Sequence, residues 1–351
     1  MHLYIHIPFC EQKCFYCSFT SLKKNGLEKP YFNALLDDLK FQFTYFNIKK
    51  NSIKTLFIGG GTPSVVPSVY YEKLFKFLEN FLLSKAEISI EANVNSASYN
   101  WLYQMKNFNI NRISFGAQSF NREKLKFLGR NHLKNEIIKA LENAYKIDFK
   151  NINLDLIYDT KLDNKKMLEY ELKNLENFKH ILTHISAYHL SIEKNTRFYK
   201  KDYFKKNTSN LMRFFISSIE NLGFKQYEVS NFGKICKHNL SYWQGKNYLA
   251  CGLSGVSFMN NARFYTKSNL KDYIKNPSFR DIEVLNKKDL NLEHLFLGLR
   301  SIVGIDKKRL NQTQLEKALF LTKKKKLEFK NNKFYNTNYL LSDELVLFLS
   351  D

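Results

Sequence analysis

Six times between residues 3 and 224 a short apolar run is followed by a longer segment with helical spacing of its apolar residues. The runs LYIHI (3–7), IKTLFI (53–58), EISIEA (87–92), NRISFG (111–116), NINLDLIY (151–158) and THISAYHLS (183–191) have the length and the β-branched and aromatic content of strands. The segments 30–46, 70–82, 101–108, 132–147, 165–178 and 209–224 repeat apolar residues at helical intervals, with Pro30 suited to a first turn. Strands that alternate with helices build a mainly parallel sheet covered by helices. The expected class is therefore α/β, a partial (β/α)6 barrel of TIM type, two units short of closure. Polar residues gather just past the strand ends, where this architecture places its ligands.

The alternation fades after residue 225. Residues 226–287 read as a connector, rich in turns over 226–258, and residues 288–351 as a small C-terminal domain. That last part shows a helix and turn (291–305), a second helix (312–320), and a hairpin followed by a helix (326–350), which is a winged-helix-like outline. The formal charge of +22 can attract nucleic acid, anionic lipid or an anionic small molecule. The abundance of Lys, Asn, Phe and Tyr points instead to a compositional bias that spreads lysines over every surface. No nucleic-acid partner is expected, peripheral membrane contact stays open, and the run Lys323–Lys326 reads as a solvated surface. No basic segment precedes a long apolar one in MHLYIHIPFC, and no stretch is long enough to span a bilayer, so a cytoplasmic location is expected.

Cys10, Cys14 and Cys17 lie within eight residues, directly after the first strand. Five cysteines in all, three of them crowded, make a poor disulfide framework and a reasonable metal framework. A closed structural zinc site wants four ligands, and a four-iron cluster normally takes four thiolates. Three thiolates on such a cluster leave one iron open to a ligand that is not protein. Zinc and a purely structural trio remain the alternatives on spacing alone.

The blocks YIHIPFC, KCFYCSF, GGGTPS, RISFGAQSF, LGRNH, DLIY, HISAYHLSIE, EVSNF and HNLSYW resemble the coproporphyrinogen oxidase-like group of the radical S-adenosylmethionine family. The oxidase itself has a longer arm before the cysteines and a fourth cysteine two positions after the third. Here Phe19 stands at that position and the motif begins at residue 10, which resembles the haem-chaperone branch. The resemblance implies a [4Fe-4S] cluster on Cys10, Cys14 and Cys17, exchangeable S-adenosylmethionine on the open iron, and haem binding with delivery to an acceptor protein. It assigns no catalytic residue, and an electron donor is needed only if radical chemistry occurs. The rival readings are an oxygen-independent coproporphyrinogen III oxidase acting by radical decarboxylation, and a radical haem-degrading enzyme. The chain departs from the group at DLIYDTKLDN, in a shortened stretch after SNF, and at ACGLSGVSF, all outside the cysteine core.

GGGTPS (59–64) lacks the spacing of the dinucleotide fingerprint and the GK[ST] of a phosphate loop. It is a tight turn or a place where backbone N–H groups meet a ligand carboxylate. The resemblance puts Gly60, Gly61 and Thr62 against the methionine part of the cofactor. It also puts Tyr4 near the cofactor and Tyr16 as a shield of the cluster beside the adenine. Glu91 needs a partner if buried, a ribose hydroxyl, an ammonium group or a salt bridge. Gln118 can donate and accept, Arg130 offers a fork for a carboxylate, and Asp155 can accept from ribose. His132 reads as a helix-start or surface histidine, His184 and His189 as strand residues. His238 is a candidate haem ligand with Cys236 nearby, and Tyr242 and Trp243 are candidate porphyrin contacts, each equally readable as structural.

Overall fold

Polar and apolar residues alternate along the central strands, and that decides which way each strand faces. The computed structural model describes residues 1–350. The first strand, β1 (His2–Ile7), runs into β2 (Phe9–Cys10), which pairs in parallel with β3 (Leu22–Lys23). Helix α1 (Glu28–Tyr45) buries Tyr31, Leu35, Leu39 and Phe43 on one stripe. Then follow β4 (Ile53–Gly60), α2 (Glu72–Leu78), β5 (Leu82–Asn93), α3 (Tyr99–Asn107), β6 (Arg112–Gln118), α4 (Arg122–Leu128) and α5 (Lys134–Lys146). The series closes with β7 (Ile152–Tyr158), α6 (Lys165–Asn177), β8 (His184–His189) and α7 (Ser209–Asn221). Strands β1, β4, β5, β6, β7 and β8 lie side by side in that order, each pair parallel. This is the expected partial barrel.

Leu3, Ile5, Leu56, Ile90, Phe115 and Leu154 point outward beneath the helices and are fully buried in the main core. The residues between them, among them Tyr4, Phe57, Ser114, Asn153, Asp155 and Ser186, line a lumen. A barrel filled for stability alone would be apolar inside.

Residues 226–287 do more than connect. They carry β9 (Asn231–Gly233), α8 (Lys237–Trp243), β10 (Tyr248–Cys251), β11 (Val256–Met259), β12 (Ala262–Tyr265), α9 (Leu270–Lys275) and β13 (Asp281–Val284). Strand β9 closes one edge of the sheet against β8, and β10 pairs in parallel with β1 on the other. With β11, β12 and β13 added in antiparallel fashion the sheet reaches 11 strands. Asp38 on α1 fastens this extension: it pairs with Arg280 and accepts from the Gly252 N–H (3.0 Å) and the Tyr273 hydroxyl (2.8 Å).

The C-terminal part has its own core of Leu295, Leu299, Ile305, Phe334, Leu345 and Leu349. Its order is α10 (Lys287–Leu299), β14 (Ile305–Asp306), α11 (Gln312–Lys323), β15 (Leu327–Lys330), β16 (Lys333–Asn336) and α12 (Ser342–Ser350), the outline of a winged helix.

Three local expectations are corrected. The helix expected over 70–82 is α2 preceded by a 3-10 turn at Ser68–Tyr71, and Leu82 already belongs to β5. Helix α4, seven residues long, was not among the expected helices. His132 is buried rather than on the surface, its Nε2 sharing a hydrogen bond of 2.8 Å with the Ala117 carbonyl. Burial brings its pKa down to about 3, so it is neutral.

Candidate functional site

The cysteine loop is pinned at both ends and in the middle. The Leu22 N–H donates to the Pro8 carbonyl (2.7 Å) and the Lys24 N–H to the Cys10 carbonyl (3.2 Å). In the middle, the Phe15 N–H donates to the Leu128 carbonyl at the end of α4 (3.1 Å). Gly129 ends that helix with φ +74, and a Cβ there would strike the Phe15 ring at 2.6 Å. Cys10 is buried and receives the Thr62 hydroxyl (3.4 Å), and Cys14 receives Arg130 Nη1 (3.4 Å). Burial raises the thiol pKa of Cys10 and Cys17. All three thiols line one cavity of about 420 Å³. Among the described residues no three His, Cys, Asp or Glu side chains converge on a single ion.

The rest of that cavity is built by successive strand ends. Of the twelve residues expected to hold the cluster and the cofactor, eleven line it: the three cysteines, Tyr16, Gly60, Gly61, Thr62, Glu91, Gln118, Arg130 and Asp155. Tyr4 lines the adjoining cavity, stacked on Phe57 with its hydroxyl 3.2 Å from His6 Nδ1. Gly60 has φ +112 with the His6 ring packed where a Cβ would stand, and a Cβ on Gly61 would lie 2.7 Å from the Pro8 backbone. Of the two readings of this loop, the tight turn describes its amides, which are taken up within the protein. The Gly60 N–H donates to Glu91 Oε2 (3.1 Å), the Gly61 N–H to the Ile7 carbonyl (2.8 Å) and the Thr62 N–H to the Phe9 carbonyl (2.8 Å). The loop offers close approach instead.

Glu91 has no cation within ion-pair distance among the described residues. Burial, with Asp155 second, pushes its carboxyl up to about 8. Burial also raises Asp155, which accepts from the Ser114 hydroxyl (3.1 Å) and Asn153 Nδ2 (2.7 Å). Arg130 donates to Asn93 Oδ1 (2.9 Å) and to the Gly116 carbonyl, while its Nε is buried without a partner. Gln118 sits at a break in the strand register with φ +67. Three thiols on one wall, a glycine cradle, a carboxyl lacking a cation and an arginine lacking a full set of acceptors fit a four-iron cluster with a zwitterionic cofactor.

A second cavity of about 640 Å³ continues below, sharing Phe19, Gly60, Glu91, Ser114, Asp155 and Tyr188 with the first. Phe19 is 67% exposed and borders both. Phe57, Tyr242, Tyr248 and Phe258 give this cavity aromatic walls. Its floor includes Arg112, His184, Cys236 and His238. His238 is fully buried, with Nδ1 2.7 Å from Thr55 Oγ1 and Nε2 2.8 Å from the Tyr242 hydroxyl. Burial, with His2 second, brings its pKa down to about 3. Both ring nitrogens are thus engaged on a neutral ring. His184 is likewise held between Asn153 Oδ1 (2.6 Å) and the Tyr227 hydroxyl (2.8 Å). The buried Cys236 thiol is pushed up to about 12 and lies 3.5 Å from Glu87 Oε1. His189 borders the upper cavity, and Trp243 is half-buried at the end of α8. Reading the sequence by motif missed Arg112, Ser114, Asn153 and Ser186. Their signal was there as polar residues two apart on strands otherwise apolar.

A family profile described as the Radical SAM superfamily matches residues 4–170. The heme chaperone HemW of Buchnera aphidicola subsp. Schizaphis graminum is 35% identical over 307 residues, 83% of this chain and 80% of that protein. The heme chaperone HemW of Bacillus subtilis is 32% identical over 326 residues, 87% of this chain and 85% of that protein. Among solved structures, coproporphyrinogen III oxidase (HemN) from Escherichia coli, described as a radical SAM enzyme, aligns with a TM-score of 0.82. It covers 99% of this chain and 89% of that one at 20% identity, a likeness of fold. No described helix is long and apolar enough to cross a membrane.

Proposed function

The chain belongs to the HemW family within the radical SAM superfamily, and from that premise we propose that it binds haem and passes it to an acceptor protein. Membership of the superfamily implies use of a four-iron cluster and S-adenosylmethionine. In this reading Cys10, Cys14 and Cys17 hold the cluster. Tyr16, Gly60, Gly61, Thr62, Glu91, Gln118, Arg130 and Asp155 hold S-adenosylmethionine, with Tyr4 beneath. The chemistry the cluster supplies when bound is an open iron position and a one-electron couple. The protein's residues position and shield. Glu91 and Asp155 offer acceptors to hydroxyl or ammonium groups, and Arg130 offers donors to a carboxylate.

The observation that carries the haem reading is the second cavity, joined to the first through a shared wall. Aromatic sides and a polar floor suit a flat ring with charged edges. Phe19 at its rim, in place of a fourth cysteine, supports the chaperone reading over the oxidase one. Haem transfer requires an acceptor, and an electron donor enters only if the cofactor is cleaved. A cytoplasmic site of action belongs to the same proposal.

The test uses the anaerobically reconstituted full chain. Haem should bind stoichiometrically by absorbance titration, and coproporphyrinogen under reducing conditions should keep its propionates by product mass. Release of carbon dioxide from coproporphyrinogen at catalytic turnover would replace the chaperone reading with the oxidase.

A further inference from the structure

Arg112 opens β6 at the end of the barrel away from the cysteine loop, and its side chain faces the lumen. The residue is 3% exposed. Both of its Nη atoms reach only the Lys234 carbonyl, each at 3.3 Å. No carboxylate lies within 4.0 Å of it among the described residues. The other buried or half-buried arginines around the barrel are satisfied differently. Arg280 pairs with Asp38, Arg263 with Glu283 and Glu293, and Arg130 with Asn93, a carbonyl and the Cys14 thiol.

None of the neighbours of Arg112 brings a carboxylate into contact with it. His184 is occupied on both nitrogens. The nearby Glu87 carboxylate already accepts from the His238 N–H (3.0 Å) and the Cys236 thiol (3.5 Å). A guanidinium taken out of water with only a carbonyl for company is costly, and removing the cost takes a counter-ion. The lumen is also graded along its depth. Its upper wall carries Glu91 and Asp155, its floor carries Arg112, and its lower border carries Lys246 and the Arg263–Glu293 pair. The cations of this cavity that lack a carboxylate partner, Arg112 and Lys246, lie at its lower end and favour an anionic edge there.

We propose that Arg112 binds a carboxylate of the ligand, so that a flat tetrapyrrole with carboxylate arms stands edge-down in the lumen with one arm on the barrel floor. This rests on the haem reading above and adds the ligand's orientation and the residue that sets it. The planar fork of Arg matches a carboxylate through two parallel hydrogen bonds, geometry that a Lys point charge lacks.

The experiment compares two probes on the reconstituted full chain by absorbance titration: haem, and iron protoporphyrin dimethyl ester, which keeps the ring and loses the charge. The wild-type protein should bind haem about ten- to hundred-fold more tightly than the ester, the range for a hydrogen bond to a charged group. Arg112→Gln should abolish most of that preference while leaving ester affinity within about two-fold, and Arg112→Lys should keep part of it. Thermal unfolding and cluster absorption check that each variant folds, and if neither folds the wild-type ratio decides. A variant that weakens haem and ester equally identifies Arg112 as a brace for the 234 loop and overturns the proposal. So does a wild-type protein that binds both probes equally. Failure of the wild-type chain to bind either probe sinks the haem reading itself, and the anchor falls with it.

Discussion

Glu91→Gln should make the cofactor-free protein more stable and cofactor binding weaker. Glu91 lies two residues before the end of β5, inside the lumen, with a single donor, the Gly60 N–H, and no cation to balance it. Burial, reinforced by Asp155, raises its carboxyl from the ordinary 4.5 to about 8. The native state therefore holds a proton that the unfolded chain releases between those two values. Below the unfolded value both states are protonated and Glu91 costs nothing. As pH rises toward 8 the unfolded state alone ionises, and stability is lost until the native carboxyl ionises too. A rise of that size corresponds to at most about 5 kcal/mol. Glu91 borders a cavity open to water, so screening reduces the real figure to about 1–2 kcal/mol.

The assay is thermal unfolding of apo wild type and Glu91→Gln between pH 5 and 8.5, with S-adenosylmethionine affinity measured in parallel on the reconstituted proteins. The variant's advantage should be small at pH 5, grow through pH 6 and 7, and level off above 8, a few degrees of Tm in all. Its cofactor affinity should fall about ten-fold at pH 8.5, where the wild-type carboxyl is ionised and the amide carries no charge. A stability difference that does not change with pH, or a variant less stable than wild type at pH 8, would refute the reasoning.

Asp38→Asn leaves Arg280 buried against a neutral side chain and should cost about 3–5 kcal/mol, read as a lower urea midpoint; a loss under about 1 kcal/mol would mean that α1 is not what fastens the added strands. Cys14→Ser should abolish the four-iron absorption of the reconstituted chain, and unchanged iron and sulfide content would remove the cluster assignment.

The parallel strands were legible because Leu3–Ile7, Ile53–Ile58 and Ile152–Tyr158 combine β-branched residues with helical segments of ordinary length between them. Strands β10, β11, β12 and β13 were not, each being four residues long. The Tyr248–Cys251 strand exists because β1 offers it an unpaired edge some 240 residues away in sequence, which no local pattern records. Leu82 and Leu83 look like the last turn of a helix, since apolar residues recur at Phe77, Leu78 and Phe81; the structure uses them to begin β5. The amides of Gly60 to Thr62 looked free because their acceptors, Glu91, Ile7 and Phe9, come from other strands and from the loop itself.

The candidate site was legible in its residue types and not in its depth. Asn153 with Asp155, His184 with Ser186, and Arg112 with Ser114 are polar pairs two apart, and a strand buried on both faces has no reason to carry them unless one face lines a ligand space. Register then orders them. Ser89 stands beside Arg112 and Glu91 beside Ser114, so the arginine and the acid occupy neighbouring strands one layer apart along the barrel axis. Ser114 is in turn beside Asn153, and Asp155 beside Ser186. Each step of two residues moves about 7 Å toward the cysteine loop. Motif reading found Glu91 and Asp155 and passed over Ser114, Asn153 and Ser186 in the same layers, because mid-strand serines and asparagines carry no turn chemistry and no motif of their own. Strand depth therefore sets the charge of the lumen wall: Glu91 stands one register step above Arg112 and Asp155 two, on the same face of the same sheet.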